Sequence, residues 1–255
     1  VFLCQTGTEA VEAALKLARF VTKKPGILTF TGAFHGRTLG SLSVTASKDK
    51  YKVPFLPLLP HVFVAPYPSA SAARHAKKEE DLFFQETWVQ IEQIVQANQN
   101  VLGAVIVEPI QGEGGYHVPH PRFLVRLREI TKQYGLLLIV DEVQTGTGRT
   151  GKMFGFQHFG IVPDIVAMAK GLGSGLPLAA MIGRKDFMDA WPPSSHGSTL
   201  GGNPVCTAAG LATLKILKKE NLYVGKNPVE HCEFAVYFSW ERDHVFVPDT
   251  HIFSR

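Results

Sequence analysis

Apolar positions along this chain follow two rhythms. Short continuous runs rich in Val, Ile, Leu and Ala occur at residues 1–4, 27–31, 104–107, 136–140, 165–169 and 179–183. Several of them are bounded by Gly or Pro, all are too short for helices, and they predict buried strands. Between them lie longer segments with helical spacing. In residues 8–20, Val11, Ala14, Leu15 and Ala18 share one face, and Thr6 or Thr8 stands ready to cap it. Residues 37–45, 82–97, 121–134 and 203–219 predict further helices, the third with Pro121 in its first turn. Pro54, Pro57, Pro60, Pro66 and Pro68 predict an irregular stretch. Strands alternating with helices predict a three-layer α/β domain, a mostly parallel sheet flanked by helices. That domain is expected over residues 1–222. Residues 223–255 are rich in His, aromatics and charge without periodicity, and are set apart as a tail of unassigned structure.

Composition narrows the class without naming a function. The 255 residues suffice for one large domain or two small ones, and 45% hydrophobic with 19% charged residues is ordinary for a globular protein. The net charge of +4 is scattered rather than striped, which argues against nucleic acid as a partner. No apolar run reaches the length needed to cross a membrane. Cys4, Cys206 and Cys232 have neither metal-ligand nor disulfide-framework spacing, which suits a reducing compartment, the cytoplasm or the mitochondrial matrix. The chain opens on Val1 in mid-strand and reads as a piece of a longer protein.

Candidate chemistry gathers where strands end, the place where open α/β sheets bind ligands. One run delivers Asp141 at its end and another delivers Lys170. A lysine there is costly unless used or paired, and desolvation makes its amine nucleophilic. An amine that forms a Schiff base and a carboxylate that partners a pyridinium nitrogen together suit pyridoxal 5'-phosphate. Other signals are weaker singly. The TGTEA segment holding Gly7 and Thr8 is a capped βα turn that can also bind phosphate at a helix start. Phe34 can stack on an aromatic cofactor and His35 can contact it, or both can be core. Glu108 and Glu113 lie in a Gly-rich loop, as acid–base groups or as salt-bridge partners. Residues 146–151 match G-x-G-x-x-G, but no helix follows and residues 141–145 separate the glycines from the strand, so a dinucleotide site is rejected in favour of a flexible turn. The loop around Thr199 is polar and Gly-rich.

Taken in order, the motifs TGTEA, FHGRT, VEPIQGEGG, DEVQTGTGRTG, PDI, AKGLGSGLPL and HGSTLGGNP resemble the class III aminotransferases of PLP fold type I, over residues 1–222. The resemblance implies that Lys170 forms the Schiff base and Asp141 binds the pyridine nitrogen. It implies that Val143 and Phe34 pack on the two ring faces, that His35 lies beside the cofactor and that Gln144 approaches the ring hydroxyl. Gly7 and Thr8 would bind the phosphate, and Thr199 would reach the phosphate of the neighbouring subunit of a homodimer. Glu108 and Glu113 would stand on the substrate side, Glu113 paired with an arginine from a C-terminal domain. The implied reaction moves an amino group from an amine or ω-amino acid to a 2-oxo acid such as 2-oxoglutarate. The segments PYP and EGGYHVP resemble 4-aminobutyrate-type members most. Thr6, Thr147 and Ala179 depart from the usual serine, aromatic and glycine. A racemase, aminomutase or dialkylglycine decarboxylase with the same cofactor, and a truncated non-catalytic fragment, stand as alternatives.

Overall fold

A computed structural model of the chain describes residues 1–222; the expected tail lies outside them. Seven strands form one sheet: β1 (Phe2–Cys4), β2 (Gly26–Phe30), β3 (Val62–Ala65), β4 (Leu102–Val107), β5 (Leu137–Asp141), β6 (Ile165–Met168) and β7 (Ala179–Gly183). Their order is β1-β7-β6-β5-β4-β2-β3. The pairs from β3 through β6 are parallel, whereas β7 runs antiparallel to both β6 and β1. The β6–β7 connection is too short for the crossover that a parallel pair needs, which forces the reversal.

The helices are α1 (Gly7–Thr22), α2 (Leu39–Val44), α3 (Asp49–Lys52), α4 (Ala70–His75), α5 (Glu80–Ala97), α6 (Phe123–Gln133), α7 (Lys185–Ala190) and α8 (Pro204–Glu220). Alternation along the central strands builds two cores. Ala104, Ile106, Ile139, Ile165 and Ala167 face α1 and pack against Val11, Ala14, Leu15 and Ala18. Val105, Val107, Leu138 and Val140 face the other way, against Phe84, Trp88 and Ile91 of α5 and Phe123, Leu124 and Leu127 of α6. Each fully buried large side chain of this kind contributes about 1.5–3 kcal/mol. The expected three-layer architecture is therefore present.

Two local expectations change. The proline-rich stretch contains strand β3, which pairs on one side with β2 and is largely uncovered on the other. Edge position is what tolerates Pro60 and Pro66 so close by. Helix α7 was not predicted; it buries no residue fully and packs only Phe187 and Met188 against the core, too short an apolar signal to read as a helix.

The start of α1 bears on the site. Thr6 caps it, taking a 3.4 Å hydrogen bond from Glu9 N, while the Glu9 carboxylate takes one of 2.8 Å from Thr6 N. This reciprocal pair fixes the helix entry just ahead of Gly7 and Thr8.

Candidate active site

The carboxyl ends of β2, β4, β5 and β6 open into one cleft of about 610 Å³. Lys170, Asp141, Gly7, Thr8, Phe34, His35, Val143, Gln144, Glu108 and Glu113 all line it. Thr199 does not; it lies exposed on the loop ahead of α8.

Asp141 ends β5 and is buried. One carboxylate oxygen accepts from Val143 N at 3.0 Å, and the other lies 2.7 Å from His35 Nδ1. His35 is buried as well, held by its backbone N–H donating to Thr45 Oγ1 at 2.9 Å. Its polar partner is therefore Asp141. Its Nε2 is buried with no partner.

Lys170 follows β6 in the left-handed region, φ 43°. A lysine gains nothing from that conformation, so the packing around it imposes the strain. Its Nζ donates to Gln144 Oε1. The residue lines the cleft and is exposed to it. Burial lowers its pKa, nearby Asp141 and Glu108 oppose that shift, and Arg149 adds to it.

Two glycines permit the floor to close up. A Cβ on Gly7 would meet Val143 Cγ1 at 2.8 Å, and one on Gly36, at φ +130°, would meet Thr8 Oγ1 at 2.3 Å. Thr8 Oγ1 lies 2.6 Å from Ser41 Oγ and 2.9 Å from Thr38 Oγ1, which gathers hydroxyls at the α1 N-terminus.

The two glutamates behave differently. Glu108 is buried, its oxygens accepting from Phe34 N at 2.9 Å and Gly112 N at 3.0 Å. Burial raises its pKa to about 7; His35 pulls it back and Asp141 pushes it up. Glu113 sits at the rim, taking hydrogen bonds from Lys48 Nζ and, at 3.0 Å, from Tyr51 Oη. Within the described residues its partners are thus a lysine and a tyrosine from α3 and the turn before it; the arginine expected from a C-terminal domain lies outside them.

Arg37 lines the same cleft, and the sequence reading passed over it. Its guanidinium carbon lies 4.8 Å from the Tyr51 ring centroid and 5.9 Å from that of Phe34. Among the described residues no carboxylate pairs with it. The only hint in the sequence was its place in FHGRT, two residues past His35.

Residues 146–151 form turns, as expected, but tethered ones. The buried Glu142 carboxylate accepts from Thr145 Oγ1 at 2.5 Å, Gly155 N at 2.9 Å and Phe156 N at 2.8 Å, and so pins both ends of the loop. No group of His, Cys, Asp and Glu suited to a metal occurs among the described residues, nor a helix long and apolar enough to cross a membrane.

An amine, a buried carboxylate backed by an imidazole, and a helix N-terminus ringed by hydroxyls converge on one cleft. That donor set fits pyridoxal phosphate, which needs a covalent anchor, a partner for its ring nitrogen and a seat for its phosphate. Comparison with known proteins agrees. The family model "Aminotransferase class-III" matches residues 1–231, extending past the boundary expected at residue 222. The chain belongs to the class III aminotransferase family, whose members depend on pyridoxal phosphate. It is 48% identical over 222 residues to an acetylornithine aminotransferase of Mycolicibacterium smegmatis, covering 87% of this chain and 51% of that protein. It is 36% identical over 252 residues to a probable 4-aminobutyrate aminotransferase of Bacillus subtilis, covering 98% of this chain and 57% of that one. Among solved structures, an amine transaminase from an uncultivated Pseudomonas species in its PLP-bound form superposes with TM-score 0.82 at 32% identity, over 88% of this chain and 53% of that one. The chain thus spans about half the length of the relatives it matches.

Proposed function

We propose that this chain carries the cofactor-binding half of an aminotransferase that moves an amino group from an amine or ω-amino acid to a 2-oxo acid such as 2-oxoglutarate. The observation that carries the reading is the convergence of Lys170, the Asp141–His35 pair and the start of α1 on one cleft. When bound, pyridoxal phosphate supplies an aldehyde to take up the amino group and a ring to absorb the electron pair left on the substrate carbon.

The chain's own residues supply the rest. Lys170 Nζ would hold the cofactor covalently and, once displaced by a substrate amine, move a proton at the substrate carbon as base and then acid. Its lowered pKa favours the neutral amine that this role requires. Asp141 would keep the ring nitrogen protonated, and the hydrogen bond to His35 fixes the carboxylate's direction. Val143 and Phe34 would pack on the ring faces, and Gln144, already against Lys170, would meet the ring hydroxyl. Gly7 and Thr8 would hold the phosphate. Thr199, being exposed and away from this chain's own cleft, suits service to the neighbouring subunit of a homodimer. A cytoplasmic or matrix setting fits the reduced cysteines.

Arg37 extends the reading to substrates. A guanidinium at a cleft rim with no carboxylate partner among the described residues suits a substrate carboxylate, which both a 2-oxo acid and an ω-amino acid carry. Replacing it by alanine removes a charge-assisted hydrogen bond worth roughly 1.5–3 kcal/mol. The expected result is a KM for the 2-oxo acid raised about tenfold to a hundredfold, with kcat changed less. Unchanged KM values for carboxylate substrates would remove Arg37 from the substrate site.

The assay that tests the function supplies 4-aminobutyrate, N-acetylornithine or ornithine with 2-oxoglutarate and follows glutamate. Acceptor-dependent glutamate supports amino transfer. Product formed without an acceptor would point to a racemase or aminomutase, and carbon dioxide release to a decarboxylase. Cofactor bound without any turnover would indicate a non-catalytic fragment.

A further inference from the structure

Glu108 holds a position that the proposed reaction does not use. Strands β4 and β5 run parallel with Val107 opposite Val140, so the next residues, Glu108 and Asp141, leave the sheet side by side. Neighbouring strands lie about 4.8 Å apart. Both carboxyls are buried, at 5% and 3% exposure. Two carboxylates this close, out of water, do not both ionise cheaply, and one keeps a proton.

Burial and the facing side chains decide which one, against the two backbone N–H donors that pull Glu108 towards its charged form. Asp141 faces a basic side chain, His35, whose Nδ1 is 2.7 Å away. Glu108 is met by two neutral backbone N–H groups, from Phe34 and Gly112. A carboxylic acid retains enough lone pairs to accept both. We propose that Glu108 is a positioning acid that keeps its proton in the resting protein, so that the single negative charge of the strand-end pair sits on Asp141. Its raised pKa agrees with this assignment. The other ionisable groups around it are Lys170, whose pKa Glu108 pulls up against a larger lowering by burial, and Tyr67, whose hydroxyl donates to the Glu108 carbonyl at 3.1 Å.

The consequence for the site rests on the aminotransferase reading: a neutral Glu108 leaves Asp141 as the one anion available to a ring nitrogen. The proton assignment itself does not need the cofactor, and its test is made on the full chain with none added. Infrared titration is followed through the carboxylic-acid C=O stretch, which separates from carboxylate bands. Buried Glu142 also has a raised pKa, so the readout is the difference between wild type and Glu108→Gln. A carboxylic-acid band that titrates near neutrality and is lost in Glu108→Gln is the expected result. In Asp141→Asn the neighbouring charge is gone, and the Glu108 midpoint should fall by about one unit or more.

The His35 imidazole provides a second measurement by nitrogen NMR. In wild type it should show an inflection at the Glu108 midpoint, a signature that a purely structural glutamate would not give. If Glu108→Gln fails to fold, the His35 inflection in wild type decides the matter, because Asp141 raises Glu142 as well and Asp141→Asn would shift both carboxylic-acid bands. A band that survives in Glu108→Gln, one that disappears in Asp141→Asn at every pH, or a His35 signal blind to that midpoint would overturn the assignment. Failure of borohydride to trap pyridoxal phosphate would count against the functional reading alone.

Discussion

Replacing Lys170 by alanine should abolish covalent capture of pyridoxal phosphate while leaving the fold intact. Wild-type protein incubated with the cofactor and reduced with borohydride should carry a stable label, and peptide mapping should place it on Lys170. The Lys170→Ala protein should carry none there. The strained backbone at φ 43° is a fault that alanine tolerates no worse than lysine, so lost labelling would not reflect unfolding. Equal circular-dichroism spectra and melting temperatures are the check. Any amino-transfer rate in the assay above should fall by at least about 10²–10⁴-fold, the usual worth of a positioned proton-transfer group. The structural reason is convergence. Lys170 Nζ, Gln144 and Asp141 come from two adjacent strand ends, so an aldehyde entering the cleft meets this amine. Label on another lysine, or an unlabelled wild type that is folded, would show that the cleft does not hold the cofactor in this way.

What the sequence showed and what it hid have a common physical basis. Asp141 and Lys170 were legible because each ends an unbroken apolar run, and a charge placed there must be used or paired. The central strands were legible for the same reason: burial on both faces writes itself as uninterrupted Val, Ile, Leu and Ala. Strand β3 and helix α7 were not, because an edge strand and a six-residue helix with only two half-buried apolar residues carry no such signature. Side-chain partnerships were the least accessible. Nothing in the spacing of residues 35 and 141 says that His35 bonds Asp141, since the contact joins a loop to a strand end far away in the chain. Glu113 illustrates the same limit, its lysine and tyrosine partners arriving from a short helix and turn with no motif of their own. Arg37 was passed over because a lone arginine outside a strand end looks like any solvated charge; only the cleft shows that it has no acidic partner among the described residues.

The PDI motif offers the second large effect, and it concerns stability. Asp164 leads into β6 and is 5% exposed. One carboxylate oxygen accepts from Arg128 Nη1 of α6 at 2.5 Å and from Leu138 N of β5 at 2.9 Å. The other accepts from Arg128 Nη2 at 3.3 Å and from Arg184 Nη1, just beyond β7, at 3.4 Å. A single side chain thus ties β5, β6, α6 and the end of β7 together at the end of the sheet opposite the cleft. Asp164→Ala leaves the largely buried Arg128 without its counter-charge and Leu138 N without an acceptor. Removing one member of such a pair costs about 3–5 kcal/mol, several times the worth of an exposed ion pair. Chemical denaturation should show that loss as a lower midpoint at unchanged slope. Asp164→Asn keeps an acceptor for one donor and should recover part of it. A loss below about 1 kcal/mol would mean that Arg128 swings into water and that the clasp is a surface contact. A large loss would establish the motif as scaffold: it fixes the far ends of the two strands whose near ends present Asp141 and Lys170, and so governs the site without touching it.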